Sequence, residues 1–222
     1  MTDAPPFQLK RQNIVCFSTA DWDTPLPTNK HQIMRRLAAA GNRVLFIETL
    51  GTRAPSAVSG TDLARIGRQL RRGMEGARKR ERRLWTLSPV VRPAWGSAPA
   101  RAANRAAFRA QAAATLRHFP NPVVWVYSPY AVHLLDLLRP RAVVYHMVDD
   151  LAAVPGADKD AIREAEAQLL GRADAVFCTE RSLHDRARQI NSASHFMPNV
   201  ADYRHFAHPP DDVRDARLDL LR

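Results

Sequence analysis

Asn13-Ile14-Val15-Cys16-Phe17-Ser18 is followed, across a polar loop and a stretch of helical period over 29–40, by Arg43-Val44-Leu45-Phe46-Ile47-Glu48. Both short runs are apolar at consecutive positions and rich in β-branched and aromatic residues, so neither has a wet face. A helix between two such runs carries the chain back to pair them in parallel. The alternation continues outward from this unit. Strands are predicted over 84–88, 123–127, 142–146, 175–179 and, less clearly, 195–197, with helices over 62–80, 98–117, 131–138, 158–170 and 181–189. Gly41-Asn42 can end the first helix in left-handed geometry, Pro140 stops the fourth, and Asp158 suits an N-cap. The expected fold class is α/β: a mainly parallel sheet of about seven strands, covered by helices on both faces, whose order reverses near the first strand.

The chain has 222 residues, 45% apolar and 25% charged, which fits a globular domain and excludes disordered, collagenous and coiled-coil classes. Cys16 and Cys178 sit inside apolar runs, where a thiol acts as a small hydrophobe; a disulfide framework and a cysteine zinc site are ruled out, and a reducing compartment fits. No stretch reaches the roughly 18 to 20 apolar residues of a membrane span, and the start lacks the core of a signal peptide, so a cytoplasmic location is expected.

The net charge of +11 is concentrated in one segment. Between Asp62 and Arg109, twelve arginines and Lys79 stand against Asp62, Glu75 and Glu81, a local +10. Within it, Leu63, Ile66, Leu70, Met74 and Ala77 share one helical face, and Arg65, Arg68, Arg71, Arg72, Arg78 and Lys79 occupy the rest. Such a basic amphipathic helix suits an anionic membrane surface, with Arg65, Arg68, Arg71, Arg72 and Lys79 as contacts; a solvated arginine face packed on the sheet fits equally. Nucleic acid is disfavoured, because no aromatic residue interleaves with these charges over 62–83.

In a parallel sheet, ligands bind beyond the carboxyl ends of the strands. After the first strand runs Ser18-Thr19-Ala20-Asp21-Trp22-Asp23-Thr24-Pro25-Leu26-Pro27-Thr28-Asn29-Lys30-His31. Thr28 or Asn29 can cap the helix and leave backbone N–H groups aimed at a ligand. Ser18, Asp21, Trp22, Asp23, Thr28, Asn29, Lys30 and His31 are therefore candidate substrate contacts; a capped turn with a packing tryptophan is the plainer alternative. Ser128 and Tyr130 follow the fourth predicted strand, and Asp149 and Asp150 follow the fifth. Adjacent carboxylates at a strand end suit acid–base work on a hydroxyl, and both are candidate catalytic groups; equally, one could cap a turn while the other faces solvent. His146 reads as a strand residue rather than a base. There is no His-Glu-x-x-His, Gly-x-Ser-x-Gly, Walker loop or Gly-x-Gly-x-x-Gly after a strand, so no metal or cofactor is expected.

Ala173-Asp174-Ala175-Val176-Phe177-Cys178-Thr179-Glu180-Arg181-Ser182, followed by Met197-Pro198-Asn199-Val200-Ala201-Asp202 and Phe206, resembles the end of the N-terminal domain of family 4-type GT-B glycosyltransferases. Asp21-Trp22-Asp23-Thr24-Pro25, Asn29-Lys30-His31-Gln32, Gly41-Asn42-Arg43-Val44-Leu45 and Tyr145-His146-Met147-Val148-Asp149-Asp150 are similar to the bacterial subgroup near the teichuronic acid glycosyltransferases. The resemblance implies an N-terminal tail over 1–12, a Rossmann-like acceptor-side domain over 13–206, and an interdomain or C-terminal tail over 207–222. It also implies a nucleotide-sugar donor without metal, a glycan or lipid-linked acceptor of the cell envelope, Glu180 and Asn199 as further substrate contacts, and a peripheral position on the inner face of the plasma membrane. Two departures stand out. The family's Pro-Asn-Gly is Pro198-Asn199-Val200, and no two glutamates lie eight apart as the family's donor motif requires. The resemblance thus places donor binding in a second domain or partner chain; a non-catalytic remnant that binds membrane, glycolipid or a partner is the alternative.

Overall fold

A computed structural model describes residues 9–50 and 76–200. The runs at Asn13–Phe17 (β1) and Arg43–Ile47 (β2) pair in parallel, Asn13 against Arg43 through Phe17 against Ile47. Leu84–Leu87 (β4) extends the sheet beyond β2, and Val123–Val126 (β5), Ala142–Met147 (β6), Ala175–Cys178 (β7) and Ser194–Phe196 (β8) follow in parallel on the other side of β1. With Arg78–Glu81 (β3) at the far edge, the eight-stranded order is β3-β4-β2-β1-β5-β6-β7-β8. The order reverses at β1, as expected.

Residues 14 to 17 of β1 are all fully buried because side chains on both faces of a central parallel strand meet packed layers. On one face, Ile14, Cys16, Val44, Phe46 and Trp125 pack with Met34 and Ala38 of Asn29–Ala39 (α1). On the other, Val15, Phe17, Leu45, Val124 and Tyr145 pack with Phe108 of Ala98–Leu116 (α2), Ile162 and Leu169 of Lys159–Arg172 (α3), and Leu183 of Arg181–Arg188 (α4). Caps set the starts of two of these helices. The Ala100 N–H donates to Ser97 Oγ at 3.4 Å, and the Ala161 N–H to Asp158 Oδ1 at 3.1 Å. Gly41, with φ +97°, lies between α1 and β2. Both cysteines are buried and free, and burial pushes the Cys178 thiol up to about 11.

Two local expectations are corrected. The predicted helix over 62–80 does not continue through its last residues. Arg78 to Glu81 form β3, antiparallel to β4, with Arg78 opposite Thr86 and Lys79 opposite Trp85, closed by a turn at Arg82-Arg83 in which Arg83 has φ 66°. Lys79 is therefore an exposed edge-strand residue and not part of a basic helix face. Residues 62–75, with Arg65, Arg68, Arg71 and Arg72, lie outside the described residues. The helix expected over 131–138 is a 3-10 segment, Pro129–Leu137, ended by Arg139 in left-handed geometry (φ 47°) before Pro140.

Candidate functional site

The switch in strand order puts the carboxyl ends of β1 and β5 side by side, so the segments leaving Phe17 and Val126 diverge and frame a crevice. The segment after β1 is pinned from within. The Ser18 hydroxyl accepts from the Ala20 N–H at 3.0 Å, and the Trp22 N–H donates to the Glu48 carboxylate at 2.9 Å. The Trp22 ring is buried edge-on against Phe46, centroids 5.0 Å apart, under the Arg35 guanidinium. His31 Nδ1 accepts the Thr28 N–H at 3.1 Å, which puts the ring proton on Nε2, where it meets the Asp21 carbonyl at 3.0 Å. Burial keeps this imidazole's pKa below its ordinary value. Trp22 and His31 thus shape the loop from inside the fold. Asp23 pairs with Arg80 at 2.8 Å and Arg78 at 3.9 Å, so the strand that replaced the end of the basic helix tethers the loop.

Lys30, in the first turn of α1, points into the crevice. Its side chain is only 9% exposed, and its ammonium lies 3.7 Å from the Asp149 carboxylate and 5.6 Å above the Tyr127 ring. A cation at a helix N-terminus opposes the helix dipole, so this placement is not explained by helix stability. Asp149, on the segment after β6, keeps 60% of its side chain exposed. Asn29 Nδ2 donates to Asn199 Oδ1 at 2.9 Å and joins the segment after β8 to the same rim. Thr28, Asn29, Lys30, Asp149 and Asn199 are therefore brought together from three segments, the start of α1 and those after β6 and β8.

Other expected members go elsewhere. Asp150 faces the opposite way: it caps the 3-10 turn Leu151–Ala153 through the Ala152 N–H and pairs with Arg163 at 2.8 Å and Arg186 at 3.4 Å. Burial works against its charge, but the Arg163 hydrogen bond and charge outweigh it and hold the carboxyl below its ordinary range. The same two arginines hold Glu166, which accepts the Tyr145 hydroxyl at 3.2 Å. Asp150 is thus a fixed anion of a half-buried network, unsuited to proton transfer. Tyr130 is also displaced: its ring stacks on Trp95 (5.4 Å, 13°) in the core of the other face, where burial pushes the phenol up to about 12. Ser128 is fully buried, and Glu180 is exposed at the start of α4, accepting from Ser182 Oγ at 3.2 Å. A groove of about 510 Å³ along α2, lined by Arg105, Arg109, Ala110 and Leu137 among others, lies away from the crevice. Among the described residues, no three His, Cys, Asp or Glu side chains are grouped as metal ligands, and no helix is long and apolar enough to cross a membrane.

Sequence reading missed three polar side chains behind Lys30. Trp125 on β5, Tyr127 just after it and His146 on β6 are each at least nine-tenths buried; among the described residues the two imidazole nitrogens have no hydrogen-bond partner, and the indole N–H and the phenol have only each other. The alternation of 125 and 127 on one strand face was the available signal, hidden inside an apolar run. Burial, helped by the Lys30 charge, lowers the His146 pKa from 6.5 to about 4. The folded chain therefore resists a proton that the unfolded chain accepts. Stability from this group is full above 6.5 and is lost as pH falls toward 4, by about 2–3 kcal/mol. Urea unfolding of the chain and of His146→Gln at about pH 7 and about pH 4.5 should show a smaller acid loss in the variant; equal losses would remove His146 as a source.

No protein-family profile and no curated protein matches the sequence. The fold does have a solved counterpart. Sucrose-phosphate synthase from Thermosynechococcus elongatus superposes with a TM-score of 0.62 over 94% of this chain and 53% of that one, at 16% identity. The chain thus spans about half the length of that protein, and the likeness is one of fold, an α/β, Rossmann-like architecture.

Proposed function

We propose that the chain is the acceptor-side domain of a nucleotide-sugar-dependent GT-B glycosyltransferase that builds a cell-surface polysaccharide or glycolipid. The observation that carries this reading is the Lys30–Asp149 pair, an exposed carboxylate beside a buried ammonium at the switch point of the sheet. Asp149 is the catalytic candidate: it would accept a hydrogen bond from the attacking acceptor hydroxyl, with Lys30 fixing its orientation. Asn29 and Asn199 supply neutral polar contacts at the same rim. The family-4 and teichuronic-type assignments rest on the quoted sequence resemblances.

Transfer needs a donor held against the acceptor, and these 222 residues supply one Rossmann-like unit. The chain alone, given nucleotide-sugars and lipid-linked acceptors, is expected to show no turnover above background, and activity is expected when a donor-binding domain is joined or added. Turnover by the isolated chain would refute the division of labour. Absence of transfer with every donor domain encoded beside it would favour a binding remnant instead.

The same reading places the chain against the inner face of the plasma membrane through its basic segment. Each basic residue near an anionic surface contributes on the order of 1 kcal/mol, screened over a Debye length of about 8 Å at physiological salt. Joint replacement of Arg68, Arg71 and Arg72 by Glu should abolish co-sedimentation with anionic vesicles at low salt. Equal binding of the unaltered chain to neutral vesicles, or no loss in the triple variant, would return the segment to a solvated surface.

A further inference from the structure

One ring ties both ends of the loop before α1. His31, fully enclosed, stacks on Phe46 with centroids 5.3 Å apart and lies 5.3 Å from Trp22. Its Nε2–H donates to the Asp21 carbonyl at 3.0 Å, and its Nδ1 accepts the Thr28 N–H at 3.1 Å, with the Thr28 hydroxyl at the same distance. Pro25, Leu26 and Pro27 between these anchors are exposed, so burial of the loop does not hold its ends together. The Asp21 end has a second tether beside it, the pairing of Asp23 with Arg78 and Arg80. At the other end Thr28 is the N-cap of α1, and the next two residues carry the Asn199 contact and the Asp149 pair.

Only one state of the ring makes both bonds, the neutral imidazole with its proton on Nε2. An imidazolium carries N–H groups on both nitrogens. It keeps the Asp21 carbonyl but turns a donor toward the Thr28 N–H; the Thr28 hydroxyl can rotate to accept it, and the backbone N–H is then left without its acceptor. The charges around the ring act in the same direction. His31 stands in the first turn of α1, where the helix dipole opposes a cation, and beside the Lys30 and Arg35 cations of the same helix. The one opposing charge, Glu48 after β2, already accepts the Trp22 N–H at 2.9 Å and the Ser88 hydroxyl. We propose that His31 is the positioning residue of the crevice: as a neutral ring it latches Thr28, and its protonation releases the start of α1 and with it the seating of Lys30 beside Asp149. The latch stands on this geometry, and its effect on rate rests on the transferase reading above. Burial keeps the pKa of the ring below its ordinary 6.5, so the latch is shut at neutral pH. The stability it contributes is full above 6.5 and is lost as pH falls through the lower, folded-state value.

The test is an NMR titration of the nitrogen-15-labelled chain from about pH 7.5 to about pH 4.5, following the His31 ring nitrogens and the Thr28 and Lys30 amides, with His146→Gln to separate the two buried rings. At neutral pH the proton should sit on Nε2, and as pH falls the two amides should shift with the midpoint of the His31 ring. His31→Asn keeps a side-chain oxygen for the Thr28 N–H and does not titrate, so this response should vanish. His31→Phe keeps the stack on Phe46 without either bond, and hydrogen exchange at the Thr28 and Gln32 amides should become about tenfold or more faster at neutral pH. Should that variant not fold, His31→Asn decides alone. A proton on Nδ1 at neutral pH, a His31 titration that leaves both amides in place, a ring that stays neutral until the chain unfolds, or unchanged exchange in a folded His31→Phe each overturns the latch. In an enzyme completed by its donor domain, transfer should fall in acid with the His31 midpoint, and His31→Asn should remove that dependence. A latch seen by NMR without transfer by any completed enzyme would sink the transferase reading and keep the latch; transfer whose acid dependence is unmoved in His31→Asn would do the reverse.

Discussion

Asp149→Asn is expected to slow transfer by about 10²–10⁴-fold in an enzyme completed by its donor domain, the usual worth of a positioned acid–base group, with the unfolding midpoint unchanged. Asp149 is mostly exposed and pairs with Lys30 at 3.7 Å, an ammonium that keeps the face of the Tyr127 ring when the charge is removed, so the change costs the fold little. Asp150→Asn should show the opposite pattern. Asp150 holds Arg163 and Arg186 at the junction of β6, α3 and α4, so its loss should lower stability with a much smaller effect on rate at temperatures where the chain stays folded. Kinetics and urea unfolding on the two variants separate the roles. Equal rates for Asp149→Asn and the unaltered enzyme would remove that carboxylate from the mechanism.

Glu166→Ala should be the most destabilising single change in this region, by about 3–5 kcal/mol. Only 4% of the Glu166 side chain is exposed, and it joins Arg163 at 3.0 Å, Arg186 at 3.2 Å and the Tyr145 hydroxyl at 3.2 Å. Tyr145 is fully enclosed, and burial together with Glu166 pushes its pKa well above 10, so the phenol stays protonated and donates. Removing the carboxylate strands one buried hydroxyl and leaves Arg163 and Arg186 with Asp150 as their shared carboxylate, and Arg186 already has a buried Nε without a partner among the described residues. Glu166→Gln keeps an acceptor for Tyr145 and should cost clearly less. A shift below about 1 kcal/mol for the alanine variant would show that water replaces the network.

The parallel strands were readable because burial on both faces writes itself as uninterrupted apolar runs, as in Ile14 to Phe17 and Val123 to Val126. β3 was not, since Arg-Lys-Arg-Glu carries no strand pattern and is held by its turn and by the ladder to β4, which are tertiary facts. In the site, the loop before α1 and Asp149 were legible from their place at strand ends. The separation of Asp149 from Asp150 was not, because it depends on Arg163 and Arg186, 13 and 36 residues away. Tyr130 was misplaced for a geometric reason: the tight 3-10 turn after Ser128 rotates its ring into the core beside Trp95.

The hairpin at Arg78–Glu81 has a bearing on how the protein behaves in a crowded solution. An open sheet offers two rows of unpaired backbone groups to any passing extended chain. Here one border is four charged residues in succession, with a register irregularity between Lys79 and Glu81, and the other is a three-residue strand, Ser194–Phe196. A charged, mainly cationic border and a shortened one repel or deny footing to a second strand, so the apolar runs at the centre of the sheet are kept from recruiting copies of themselves. Neutralising the first border, as in Arg78→Thr with Lys79→Val and Arg80→Thr, should produce thioflavin-positive aggregates at concentrations where the unaltered chain stays clear.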